Sequence, residues 1–138
     1  MSYLLDTNTV SELMKPAPET SVLSWLEQHE NDCFLSSITV GEIEKGIALL
    51  PAGRRKNQLQ EVFQIFMHAT EARILSFDVV VARRWAVLTS ASQRKGRTLS
   101  VLDSMIEATA LYWDLAVVTR NVFDFVEAPT LNPWKLHS

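Results

Sequence analysis

SYLLDTNTVSEL, Ser2 to Leu13, is the stretch whose reading decides the fold. Tyr3, Leu4 and Leu5 form an apolar run that stops abruptly at Asp6. Thr7 and Asn8 follow, and an apolar pattern then resumes at helical spacing with Val10, Leu13 and Met14. The segment reads as a buried strand that turns directly into a helix, with a carboxylate at the junction. A turn residue, a helix cap or a metal ligand would each explain that acid.

The same alternation recurs along the chain. Strand candidates are Ser2–Leu5, Cys33–Ser36, Arg73–Phe77, Leu115–Val118 and, more weakly, Thr130–Leu131. YLLD (Tyr3–Asp6) and AVVT (Ala116–Thr119) are apolar up to a polar end, as strands covered on both faces of a parallel sheet are. Helical spacing marks Ser21–His29, Thr39–Leu50, Asn57–Ala69, the run from Val79 to a closing Gly96, and Ser100–Trp113. Leu59, Val62, Phe63, Phe66 and Met67 share one stripe and are expected in the core. Lys15–Glu19, with Pro16 and Pro18, is a loop between helices. Strands alternating with helices imply right-handed βαβ crossovers and a three-layer α/β sandwich.

At 138 residues the chain is expected to form one domain, 1–138, with a core that needs no staples. No run approaches the ~18 apolar residues of a membrane helix, and no basic-then-apolar leader opens the sequence. Cys33, the one cysteine, sits in an apolar run and reads as a buried thiol of a reducing cytoplasm. One cysteine and three histidines match no zinc spacing. The net charge of −3 argues against a broad basic surface of the usual nucleic-acid-binding kind. Local basic clusters remain at Arg54–Lys56, Arg83–Arg84 and Arg94–Arg97, readable as solvated helix faces and helix C-termini, so overall charge neither establishes nor excludes a nucleic acid substrate.

In open α/β sheets ligands bind beyond the carboxyl ends of the strands, where Asp6 falls. Three more acids follow one pattern: Glu42 in SSITVGEI, Asp103 in TLSVLDSMIEATA and Asp124 in VVTRNVFDF. Each comes three residues after a cap candidate, Thr39, Ser100 and Asn121, which also describes a capping box. The capping box prefers the longer reach of Glu or Gln, so it fits Glu42 better than the two aspartates. Four acids on one rim repel one another unless cations neutralise them, and hard ions such as Mg²⁺ or Mn²⁺ take such oxygens.

LLDTNTVSEL, SSITVGEIEKGI, LDSMIEATA, VTRNVFDF and the closing LNPW, in this order and spacing, resemble the PIN-domain family of metal-dependent ribonucleases. Within it they are most similar to the VapC-type toxins of toxin–antitoxin modules, in the FitB-like branch. The resemblance implies a five-stranded parallel sheet flanked by helices. It also implies that Asp6, Glu42, Asp103 and Asp124 coordinate one or two Mg²⁺ or Mn²⁺ ions. It gives Thr119 the polar position that helps place a water, with Asn121 beside it, and Asn8 a frequent polar position next to the first acid. It further implies an RNA substrate, products with 5′-phosphate and 3′-hydroxyl ends, a homodimer and a cognate antitoxin. A toxin–antitoxin hetero-oligomer that reaches operator DNA through the antitoxin is also implied. Arg94, Lys95 and Arg97, close before Asp103, are candidates for holding the RNA backbone.

Two positions depart from the family pattern. Glu107 replaces a small residue and is open to two readings, an acid supporting the site or a solvated surface charge. Tyr112-Trp113 replace a polar or His-Gly pair at the end of a helix. The rivals to a nuclease are a catalytically degenerate RNA-binding or regulatory module and a small-molecule phosphohydrolase. The first predicts a missing acid; the second wants a second Asp two residues after Asp6, where Asn8 stands.

Overall fold

The computed structural model describes residues 1–136. Five short strands form one parallel sheet: β1 (Tyr3–Leu5), β2 (Cys33–Ser36), β3 (Ile74–Leu75), β4 (Ala116–Val118) and β5 (Thr130–Leu131). Their spatial order is β3-β2-β1-β4-β5, which puts the opening strand at the centre. Tyr3 pairs with Cys33 on one side and Ala116 on the other. Six helices connect and cover the strands: α1 (Thr7–Leu13), α2 (Thr20–His29), α3 (Ser37–Ala48), α4 (Arg54–Thr70), α5 (Val79–Arg94) and α6 (Val101–Trp113).

Adjacent strand residues feed opposite faces. Leu5, Leu35 and Val118 enter a core with Val10, Trp25, Ile43 and Phe63. Leu4 and Val117 enter another with Ile106, Ala110 and Phe125. Each fully buried leucine contributes about 1.5–3 kcal/mol, so the two-faced apolar run is the main anchor of the sheet centre. Both layers meet at β1 and β4, so packing on both faces holds the carboxyl ends of these strands.

The local readings need four corrections. Helix α3 starts at Ser37, capped by Ser36, whose Oγ accepts from the Ile38 N–H at 3.0 Å. Thr39 therefore lies inside the helix and caps nothing, because β2 passes into α3 without an intervening loop. Asn121 does cap a turn, but that turn is a single 3-10 turn over Val122–Asp124, and its side chain makes no capping bond. The strand expected over Arg73–Phe77 is two residues long, since Glu71–Arg73 form a 3-10 turn. Val62 points outward, 40% exposed, while Phe63 takes the buried place on that helix. Gly96 has φ +85, as a helix-ending glycine does. Helix α6 ends instead on Asp114 in the left-handed conformation, so Tyr112-Trp113 leave its closure intact.

Candidate active site

Asp6 is set by backbone before side chains act. Its N–H donates to the Val118 carbonyl at 2.9 Å, extending the β1–β4 ladder by one bond, and it is also the N-cap of α1. Its Oδ1 accepts from the Thr7 N–H at 2.8 Å. Its Oδ2 accepts from the Thr119 hydroxyl at 2.7 Å and the Asn8 amide at 3.2 Å. Thr119, just past β4 and fully buried, receives the Asn121 N–H at 3.0 Å on the same oxygen. It holds Asp6 from behind and does not face the cleft.

Asp6, Glu42, Asp103 and Asp124 line one open cleft of about 460 Å³, together with Asn8 and Asn121. The four acids reach it from the end of β1, the second turn of α3, the first turn of α6 and the 3-10 turn after β4. Glu42 is not spent on capping; its Oε1 takes the Thr7 hydroxyl at 2.7 Å. Burial pushes the Asp6 carboxyl up to about 6, against the hydrogen bonds from Thr119 and Thr7, with the charges of Asp103 and Glu42 adding to the rise. Asp103 is raised as well, by burial first and then by Asp124 and Glu42. These shifts are the cost of crowding carboxylates at a low-dielectric rim.

Among the described residues no three Asp, Glu, His or Cys side chains are drawn together into a ready-made metal cage. The donor set is nonetheless all oxygen and anionic, which suits a hard divalent ion that keeps several of its waters. Such an ion would also offset the burial and the repulsion that together raise Asp6 and Asp103.

Arg94, Lys95 and Arg97 stand elsewhere. Arg94 lines a separate shallow depression with Ser90 and Gln93, and Lys95 ends α5. The Arg97 guanidinium donates to the Phe123 carbonyl and so braces the turn that carries Asp124. The basic side chains that do line the acid cleft are Lys15 and Arg120, and Trp134 joins them. Arg120 lay between two residues already assigned to the rim, Thr119 and Asn121, and that position was its sequence signal.

Glu107 is not a solvated surface charge. It is fully buried, and its carboxylate accepts from the N–H groups of Val126, Glu127 and Ala128 at 2.6–3.2 Å. It ties α6 to the loop that follows Asp124.

A parallel sheet in the order β3-β2-β1-β4-β5 with an acid-lined cleft at its carboxyl edge defines an α/β protein of the PIN-like nuclease class. Comparison with known proteins agrees. The PIN domain matches residues 3–125, and the chain belongs to that family. It is 39% identical over 135 residues to Toxin FitB of Neisseria gonorrhoeae, covering 95% of this chain and 97% of that one. It is 35% identical over 136 residues to VapC ribonuclease Y4jK of Sinorhizobium fredii, covering 96% and 97%. A solved structure of FitAB bound to an IR36 DNA fragment superposes with a TM-score of 0.90 at 37% identity, covering 99% of this chain and 98% of the other.

Proposed function

We propose that this chain is a Mg²⁺- or Mn²⁺-dependent endoribonuclease and the toxin of a toxin–antitoxin pair. The observation that carries the reading is the convergence of Asp6, Glu42, Asp103 and Asp124 on one cleft, where burial, with the charges of Asp103 and Glu42 adding to it, lifts Asp6 to about 6. Relatives named as a toxin and as a ribonuclease, matched over nearly the full chain, support it.

The four carboxylates would hold the ion, which when bound would supply Lewis acidity at the phosphate and make the attacking water easier to deprotonate. The protein's own part is positional. Thr119 and Asn8 fix the Asp6 carboxylate, Thr7 holds Glu42, and Asn121 stands at the open rim. One water adds across the phosphodiester: its oxygen bonds to phosphorus, the P–O3′ bond breaks, and the 3′ oxygen takes a proton. The products carry 5′-phosphate and 3′-hydroxyl ends.

The partners in this reading are an RNA substrate, a second copy in a homodimer and a cognate antitoxin in the cytoplasm. A toxin–antitoxin assembly on operator DNA is part of it, supported by the likeness to FitAB bound to DNA. Among the described residues no helix is long and apolar enough to cross a membrane.

Purified protein should cleave RNA with Mg²⁺ or Mn²⁺, stop with chelator, and lose at least ~10²-fold in rate in Asp6→Asn or Asp103→Asn. Equal cleavage by these variants overturns the assignment. One observation favours a catalytically degenerate RNA-binding module: Glu42, although it lines the cleft, already accepts the Thr7 hydroxyl on its Oε1. Binding without cleavage in the same assay would select that reading.

A further inference from the structure

The acid cleft repels the phosphates it is proposed to cleave, so something on its walls must counter that field. Of the two basic side chains lining it, Lys15 is already paired, its Nζ 2.9 Å from Glu12 Oε1. Arg120 is different. Its guanidinium has no hydrogen-bond partner and no ion pair within 4 Å among the described residues; its charge reaches Glu12 only at longer range, and the side chain is exposed on the wall of the acid-lined cleft.

Its backbone is fixed at both ends of the peptide unit. The Arg120 N–H donates to Asn8 Oδ1 at 3.3 Å, and the Asn132 amide donates to the Arg120 carbonyl at 3.4 Å. The guanidinium carbon sits 5.4 Å from the centre of the Trp134 ring. Trp134 is positioned in turn by Asn132, whose Oδ1 accepts the Trp134 N–H at 2.9 Å. Asn8 also donates to Asp6, so one side chain ties the reacting end of the cleft to its basic wall.

We infer that Arg120, held over Trp134, is a phosphate-binding subsite for single-stranded RNA, taking a phosphodiester next to the scissile one. An arginine with a free donor fork, spread on an aromatic face, offers two parallel N–H groups to a phosphate and loses little freedom on binding. Trp134 is half-buried against the protein, with the remainder lining the cleft, and adds a surface on which a neighbouring base can stack. The pair supplies the substrate grip that an acidic protein otherwise lacks. The inference rests on the nuclease reading of the same cleft.

The test compares wild type, Arg120→Ala, Arg120→Lys and Trp134→Phe on a labelled single-stranded RNA 12-mer. Cleavage is followed with Mn²⁺, and binding is followed by fluorescence anisotropy in the Asp103→Asn background across a salt series. Arg120→Ala should raise KM about tenfold and leave kcat within about threefold, the loss of one charge-assisted contact. The slope of log affinity against log salt should shrink by about 0.7, one phosphate on a single strand. Arg120→Lys should restore the slope but only part of the affinity, because the charge returns without the fork. Trp134→Phe, which keeps a ring under the guanidinium, should lose less than Arg120→Ala. Cleavage by wild type with unchanged KM and salt slope in Arg120→Ala overturns the subsite and leaves the nuclease standing. Arg120-dependent binding without cleavage by wild type keeps the subsite and overturns the hydrolysis. RNA neither bound nor cut overturns both.

Discussion

Asp6 and Glu107 are both buried carboxylates, 4% and 0% exposed, yet they are satisfied in opposite ways. Glu107 receives the N–H groups of three consecutive residues, Val126 to Ala128, and does not line the acid cleft. Asp6 receives one backbone N–H and two side-chain donors, then looks across a cleft at Asp103 and Glu42. Backbone amides fix Glu107 as a clamp between α6 and a loop. Asp6 is left with charge that the protein does not cancel. Burial alone does not mark a functional acid; what remains uncancelled after the hydrogen bonds are counted does.

The sharpest way to break this comparison is to remove the clamp. Glu107→Ala leaves three amides without their acceptor, each costing about 1 kcal/mol or more, for a total of about 3 kcal/mol or more. Urea unfolding should show a lower midpoint with an unchanged slope. Glu107→Gln, with a single carbonyl oxygen and an amide that faces donors, should recover only part of the loss. A loss below about 0.5 kcal/mol in Glu107→Ala would mean that water replaces the carboxylate and the clamp is decorative.

Asp6 should behave with the opposite sign. Its carboxyl rises from the ordinary 3.8 to about 6 on folding, so between those values the folded chain binds more protons than the unfolded one. Metal-free stability therefore falls as pH rises from about 4 to 6, by on the order of 2–3 kcal/mol, and this loss is complete above the folded value. Glu12 works the other way. The Lys15 ammonium bonded to it, helped by the Glu19 N–H, lowers its carboxyl, so its contribution disappears as pH falls. The difference between wild type and Asp6→Asn isolates the Asp6 part. Asparagine still caps α1, so the variant should be more stable than wild type at pH 7 while cleaving at least ~10²-fold more slowly. Chemical denaturation at pH 4, 5, 6 and 7 measures it, and parallel curves for the two proteins would remove Asp6 as the source.

A smaller effect separates cation from proton. Added Mg²⁺ or Mn²⁺ should raise the melting temperature of wild type, with about 2.7 kcal/mol of stabilisation at a hundredfold excess over Kd. Asp6→Asn should show little of this rise. Glu107→Gln should show all of it from a lower baseline. A rise of the same size in all three proteins would place the ion away from Asp6.

Much of this was legible in the sequence for a physical reason. Runs such as YLL and AVV have no helical or alternating pattern because the sheet buries both faces, and the next residue, Asp6 or Thr119, falls on the rim by necessity. What stayed hidden depended on contacts distant in sequence. Thr39 looks like a cap by spacing, but Ser36 wins because the strand ends one residue before the helix begins. Glu107 lies one helical turn beyond Asp103, and spacing alone cannot tell a solvated acid from one that meets a loop nineteen residues later. Arg120 and Trp134 are fourteen residues apart, and only the fold brings their side chains together over the cleft.

Thr119 offers the finest test, because its hydroxyl donates to Asp6 while accepting from the Asn121 N–H and the Asn8 amide. Its hydroxyl is the strongest of the bonds that hold the Asp6 carboxyl down against burial. Thr119→Val keeps the shape and the strand preference of the residue but deletes that donor. It also strips the Asn121 N–H of its acceptor, so a cost of about 1 kcal/mol in stability is expected at neutral pH. The more telling readout is the pH at which metal-free stability stops falling. Without the Thr119 donor the Asp6 carboxyl should titrate higher still, so that point moves upward from about 6. Asp6→Asn combined with Thr119→Val should show no such movement, since the titrating group is gone. An upward shift in the single variant that persists in the double would trace the titration to another acid of the cleft, Asp103 being the other one whose carboxyl is raised.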